Sequence, residues 1–314
     1  MLMSMIHWSK RIFAVALISV LCGKRAHAQK ETLYYQYQFS PMTINPAATG
    51  LREQLHMTAM FRKRGFFVQS KQQQQMSGGG QSSQTLAMDG AVADGKVGIG
   101  LQAVNDRLGT LGTTGVYGSL SYWINLPDGA TVSVGGLAGV SFLPVYDQVS
   151  LTSTNKANMS YGGGIYYYSD TFFGGVSMPE AKKGVYGLGT GQGSYQSVRP
   201  LFIQAGYKLE SGENLSLIPS VLVTQATGRP IGIDVNAKAW FMEKAGLGLS
   251  YRHNSLGYQP VSYVQVSAEY QLSDAIRVGL TYNSTAPEAP VNTFQKSVFE
   301  LLFRYVPNPQ KFTF

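Results

Sequence analysis

Ile231-Gly232-Ile233-Asp234-Val235-Asn236-Ala237-Lys238-Ala239-Trp240 decides the fold. Every odd position is apolar, while the even positions up to 238 are small, polar or charged. Successive side chains of an extended backbone point to opposite sides, so a period of two marks a strand with one greasy face and one wet face. The pattern returns in Ile276-Arg277-Val278-Gly279-Leu280-Thr281-Tyr282-Asn283 and in Phe299-Glu300-Leu301-Leu302-Phe303-Arg304-Tyr305, where Leu302 is the single lapse. Further segments that read as strands lie near 56–68, 81–92, 96–106, 113–125, 130–143, 160–169, 171–178, 199–210, 214–225, 244–253 and 261–272. The tally is about 14, and single-chain bacterial barrels need an even number.

Most of these segments are close in length to the roughly 9–11 residues that a tilted strand needs to cross a bilayer. Many end in aromatics, at Tyr122-Trp123, Tyr166 to Tyr168, Phe172-Phe173, Trp240-Phe241 and Tyr305, where interfacial girdles would sit. Asp234, Lys238, Arg252, Glu269, Arg277, Glu300 and Arg304 share the wet face and are the expected lumen-facing charges. A soluble sandwich would turn the apolar face inward, and alternation by itself does not separate the two. The aromatic ends and the amino terminus favour the membrane: the expectation is an all-β chain, a transmembrane antiparallel β-barrel of about 14 strands over residues 56–314. Between Tyr263 and Val264 the inward set changes phase, which reads as a bulge. Gly98, Gly100, Gly118, Gly135, Gly136, Gly139, Gly248 and Gly279 fall inside strands, where they mark curvature or close approach to something in the lumen.

The first 28 residues read as a cleaved secretory signal peptide. Lys10 and Arg11 precede an apolar run from Ile12 to Leu21, and Ala26-His27-Ala28 forms a cleavage site before Gln29. The apolar run is too short for a spanning helix. Leu21 stands where a lipoprotein would have a small residue before Cys22. Cys22 is the only cysteine, so the processed chain has no disulfide, thiolate metal site or cysteine nucleophile. Loss of Lys10, Arg11, Lys24 and Arg25 lowers the formal charge from +8 to +4, too mild to imply nucleic acid. With 36 Gly, 19 Tyr, 15 Phe and only 13% charged residues, the composition suits many strands and tight turns in one large domain. Residues 29–55 are expected to form a periplasmic lead-in segment ahead of the barrel.

Pro127-Asp128-Gly129 and Ser211-Gly212-Glu213 read as short periplasmic turns, and the links Ser70 to Gln81, Asp147 to Met159, Pro179 to Val198 and Ser284 to Thr293 as outer loops. Gln72 to Gln75 is a low-complexity run. Gly90-Ala91-Val92-Ala93-Asp94-Gly95-Lys96-Val97 nearly spells a phosphate-binding loop, but Val97 replaces the required hydroxyl and strand signals follow. Gly98-x-Gly100-x-x-Ala103 sits inside an alternating strand and not at a strand-to-helix turn. Only His56 and His253 survive removal of the leader, with no nucleophile elbow or zinc helix. No catalytic residue, metal site or cofactor is expected. An outer-membrane hydrolase would need a serine such as Ser255 or Ser262 within reach of His253. A small-solute channel would need an open lumen ringed by charge.

Tyr37-Gln38-Phe39-Ser40-Pro41-Met42-Thr43-Ile44-Asn45-Pro46-Ala47-Ala48-Thr49-Gly50 resembles the opening of the PorP/SprF family of type IX secretion membrane proteins, a Q-(F/Y)-S segment followed by an N-P-A-x-x-G turn. The likeness continues through Asn105-Asp106-Arg107-Leu108-Gly109, Phe172 to Pro179, Ala205-Gly206-Tyr207, Leu217 to Ser220 and Gly248 to Arg252. It covers nearly all of the processed chain in order, although an unusually glycine-rich loop follows Glu180. The resemblance implies a Bacteroidetes-type outer-membrane barrel. It would bind or anchor a secreted type IX substrate or a secretion component, and in some members support gliding motility. Asn45-Pro46 with Gly50 makes a plausible tight turn, Pro setting φ and Gly accepting positive φ. Asn45, Pro46, Gly50, Asn105, Asp106 and Arg107 are candidates either for turn structure or for partner contact.

Overall fold

The computed structural model describes residues 37–64, 81–108, 111–147, 152–181, 185–187, 194–196, 199–212, 214–254, 261–284, 297–307 and 309. The expected leader, residues 29–36, the glutamine run and residues 310–314 lie outside the described residues. In chain order the strands are β1 (His56–Arg64), β2 (Gln81–Val92), β3 (Val97–Leu108), β4 (Leu111–Asn125), β5 (Thr131–Asp147), β6 (Thr152–Tyr168), β7 (Phe172–Met178), β8 (Val185–Gly187) and β9 (Ser194–Gln196). They continue with β10 (Pro200–Tyr207), β11 (Leu209–Ser211), β12 (Leu215–Ala226), β13 (Gly232–Phe241), β14 (Ala245–Asn254), β15 (Val261–Gln271), β16 (Ile276–Asn283) and β17 (Val298–Tyr305).

The wall strands pair antiparallel with their neighbours, and β17 closes the ring against β1, with Met57 opposite Tyr305 and Arg64 opposite Val298. Pro200 lies opposite Ala226 and Leu209 opposite Leu217, so β10 and β11 keep one register on β12 and form one strand interrupted at Lys208. There the Lys208 amide donates to the Thr171 carbonyl, one step beyond Tyr207 opposite Phe172 in the register on β7. The hairpin β8-β9 is a separate sheet. The chain is therefore a closed antiparallel barrel of 14 strands. Closure removes the unpaired edges that an open sheet would present to lipid.

Alternation sets the two faces. Along β15, Tyr263, Gln265, Ser267 and Glu269 are buried, while Val264, Val266, Ala268 and Tyr270 are exposed on the outside. The outer face carries large apolar side chains such as Leu120, Ile165, Val235, Leu249 and Leu301, as a lipid-facing wall requires. The ends differ as well. Short turns at 93–96, 126–130, 169–171, 212–214, 242–244 and 272–275 gather at one end, together with the entry into β1 and the exit from β17. The strand ends joined by the long links 65–80, 179–199 and 284–297 lie at the other, which makes the turn end periplasmic and the opposite end external. Tyr122, Phe172, Tyr207, Phe241, Tyr270 and Tyr305 are exposed at the turn end of their strands, a girdle at one membrane interface.

Four expectations need correction. Trp123, Tyr166 and Trp240 belong to the lumen and not to the girdle, being buried at 6%, 1% and 1% exposure. β15 has no bulge, since its register on β14 is unbroken from Val261 opposite Asn254 to Tyr270 opposite Ala245; Tyr263 is an inward aromatic in phase with the polar set. Much of the loop expected from Asp147 to Met159 is strand, because β5 and β6 stay paired as far as Asp147 opposite Thr152. The loop expected from Pro179 to Val198 contains the hairpin β8-β9.

Candidate functional site: the filled lumen

The described part of the expected periplasmic lead-in does not hang below the barrel. Residues 37–50 lie inside it, with Tyr37, Phe39, Met42, Ile44, Ala47 and Thr49 at 0–1% exposure. Two short 3-10 turns, Pro41–Thr43 and Pro46–Ala48, compact the segment, each opened by a proline whose missing N–H and preset φ suit a first helical position. Asn45 caps the second turn, its Oδ1 accepting from the Ala47 amide at 3.0 Å. Gly50 ends the segment at φ +74°, the conformation expected for the turn.

A backbone taken out of water must have its polar groups satisfied, and here the wall satisfies them. Gln102 Nε2 donates to the Met42 carbonyl at 2.9 Å, Ser177 Oγ to Ile44 at 2.7 Å, Ser133 Oγ to Ala47, and Trp123 Nε1 and Ser121 Oγ both to Thr49. Asp89 accepts from the Gly50 amide at 2.9 Å, and Asn45 Nδ2 donates to the Ile165 carbonyl at 3.0 Å. Gln38 donates to Asn236 and Ser250, and Asn236 donates to the Tyr37 hydroxyl. Burial pushes the Tyr37 phenol pKa well above its ordinary value, so the group remains neutral.

The apolar side chains of the segment seed small cores with inward wall residues. Tyr37 and Ile44 meet Phe202, Leu222 and Ala226; Ala47 and Ala48 meet Trp123 and Tyr166; Phe39 meets Met60 and Leu302. The lapse at Leu302 is thus an inward leucine that covers Phe39. Where the segment runs closest to the wall, the wall is glycine. A Cβ on Gly135 would stand 2.6 Å from Ala47 Cα, and one on Gly98 or Gly100 would collide with Thr49. Close approach to a lumen occupant, one of the two readings of the strand glycines, holds for these three. Gly118 and Gly136 have no such neighbour, and Gly139, Gly248 and Gly279 face wall side chains and wall backbone.

All seven charges assigned to the wet face point inward. Asp234 lies 3.7 Å from Arg252, Lys238 pairs with Glu269, Arg277 lies 3.8 Å from Glu269, and Glu300 pairs with Arg62 at 3.1 Å while accepting from Thr281 Oγ1. Arg304 and Arg52 both donate to the Phe39 carbonyl, at 2.6 and 2.9 Å. Lys238 and Arg277 also stand over the Trp240 ring. The sequence reading missed Arg52, Arg62 and Asp89. Arg62 was accessible to it, because His56, Thr58, Met60 and Arg62 alternate with outward Met57, Ala59 and Phe61.

The family-motif residues separate into two groups. Asn45, Pro46 and Gly50 are buried in the lumen. Asn105, Asp106 and Arg107 lie on β3 near the loop end, where Asp106 accepts from Ser83 Oγ on β2 and Arg107 is exposed. Ser262 Oγ lies 2.9 Å from His253 Nδ1.

Fold and lumen together define an outer-membrane β-barrel whose interior is filled by its own amino-terminal segment. The chain belongs to the PorP/SprF family: the family model for the type IX secretion system membrane protein PorP/SprF matches residues 26–305. It is a membrane protein of the type IX secretion family, located in the outer membrane. No curated protein sequence matches it. Among solved structures, it is similar to the outer membrane protein Omp33 of Acinetobacter baumannii, at 11% identity over 82% of this chain and 100% of that one, TM-score 0.47. It is similar to a FadL homologue of Pseudomonas aeruginosa at 14% identity, over 83% and 92%, TM-score 0.49. The Ralstonia pickettii toluene transporter TbuX aligns at 10% identity, over 84% and 92%, TM-score 0.49.

Proposed function

We propose that this barrel binds or anchors an exported surface protein, or a component of the secretion machinery, at its two ends, and that it does not work as a small-solute channel. The observation that carries the reading is the occupied lumen. Residues 37–50 are held by hydrogen bonds from β2, β3, β4, β5, β7 and β17, and they fill the space that solute would cross. A wall that spends its inward polar groups on its own chain leaves the loops and turns as the surfaces for a partner. Asn45, Pro46 and Gly50 then serve the turn inside the barrel, and Arg107, exposed toward the loop end, serves partner contact. Where the exported protein is an adhesin, the same anchoring supports gliding motility. The processed chain begins at Gln29 after removal of residues 1–28.

The test is gentle detergent extraction of the outer membrane, affinity purification of the tagged barrel, and mass spectrometry of what accompanies it. A stoichiometric secreted protein or type IX component is the expected result. A solitary barrel that conducts ions in a planar bilayer would overturn the reading.

A further inference from the structure

The periplasmic mouth holds a cavity of about 500 Å³ between the turns at 242–244 and 272–275. Its floor is Arg277 and Arg304, both nearly inaccessible at 3% and 2% exposure. Arg304 uses one guanidinium nitrogen on the Phe39 carbonyl, while Nε and Nη1 have no hydrogen-bond partner among the described residues. Around this floor stand four cations, Arg52, Lys238, Arg277 and Arg304, against the carboxylates of Glu269 and Asp89. Glu243 and Asp274 lie on the cavity rim, exposed to water, where their charge is screened. The deep part therefore holds excess positive charge and an arginine fork with donors to spare. Leaving buried donors unmet is costly, and planar guanidinium groups match the geometry of an oxyanion.

We infer that the periplasmic mouth is an oxyanion-binding site, in which Arg304 and Arg277 hold a carboxylate or phosphate that enters between the two turns. A free anion and a peptide-borne carboxylate would use the same donors. The cavity is large enough for either. The site is independent of which exported protein the loops engage.

The test is calorimetric titration of the processed full-length barrel in neutral detergent at low ionic strength. The probes are glutarate, inorganic phosphate, and a neutral peptide whose only charge is its carboxy-terminal carboxylate, with chloride as reference. Saturable binding of the free anions supports the site with a small-molecule source. Binding of the peptide alone supports it with a partner chain as the source. Arg304→Gln is expected to weaken binding about 10- to 100-fold, as loss of a charge-assisted hydrogen bond does. Because Arg304 also holds the lumen segment, Ala275→Glu serves as the second variant. It places a carboxylate on the cavity lining while keeping both arginines and the residues of the Phe39 contact, and should abolish binding of every probe in a barrel with an unchanged strand signal in circular dichroism. Heat no greater than that of chloride for all probes, or binding unaltered in Ala275→Glu, overturns the inference.

Discussion

Gly135→Val should dislodge the lumen segment and leave the wall intact. The new Cβ would meet Ala47 Cα, Ala47 N and the Pro46 carbonyl oxygen, each 2.6 Å away. All three are backbone atoms on a capped turn, so no side chain can swing aside. β5 is held by ladders on both sides, and the turn must yield by about 0.8 Å to reach ordinary van der Waals distance. That displacement carries the 2.9 Å bonds from Trp123 Nε1 to Thr49 and from Gly50 to Asp89 out of hydrogen-bonding range and stretches the Ser133 bond to Ala47 toward its limit. At roughly 1 kcal/mol net for each bond broken, the loss is about 2 kcal/mol. Gly118→Val is the control: the same strand-favouring change is made on the outer face, where nothing lies within 4 Å, and it should stay within about 0.5 kcal/mol of the parent. Planar-bilayer recording and thermal unfolding by circular dichroism read the two effects, with ion-conducting events and a lowered Tm expected for Gly135→Val alone. If Gly135→Val is as silent and as stable as Gly118→Val, the segment does not pack against β5 as described.

Deletion of residues 37–50 should convert a non-conducting barrel into an open pore in the same recording, and continued silence would mean that something else closes the lumen. Glu300→Gln removes the partner of a buried Arg62 and should cost about 3–5 kcal/mol in denaturant unfolding. Glu210→Gln, at the solvent-exposed pair with Lys208, should cost less than about 1 kcal/mol. Leu249→Lys, on the outer face at 57% exposure in the middle of β14, should destabilise the membrane-inserted barrel by about 2–4 kcal/mol, whereas a chain folded as a soluble sandwich would tolerate the change.

Alternation marked the strands and their two faces, and the aromatic ends and the amino terminus turned the greasy face toward lipid, where a wall demands one apolar side chain in every two residues. The strand count and the inward direction of all seven charges followed from that demand. Aromatic placement followed only in part. Tyr122 and Trp123 are adjacent and therefore face opposite ways: the first lies in the girdle, and the second donates to Thr49 inside. Period two identifies a face but does not say whether an aromatic on the wet face has a partner there. Tyr263 shows the same limit, since an aromatic among polar residues looked like a slip in register when it was an inward residue in phase.

The lumen segment was harder to see because its partners are far away in sequence. Asn45 reaches Ile165, Phe39 reaches Arg304, and Gln38 reaches Asn236 and Ser250. No local pattern encodes such pairs, but the wall carries their imprint. An inward position in a barrel of this size can hold a large residue if the space opposite is empty, yet β3 offers Gly98 and Gly100 and β5 offers Gly135, each set against Ala47 or Thr49. Serine takes the neighbouring inward places: Ser121 and Ser133 donate to the approaching backbone, and Ser119 accepts from the Thr49 hydroxyl. On the opposite side of the barrel the inward positions are long and charged, and there Phe39 is met by Arg304, Lys238 and Leu302. A wall that is small and hydroxylated on one side and long and cationic on the other is shaped for an off-centre occupant, and the chain supplies that occupant from its own amino-terminal motif. The same asymmetry leaves the arginine-lined cavity on the cationic side as the part of the lumen still open to a ligand.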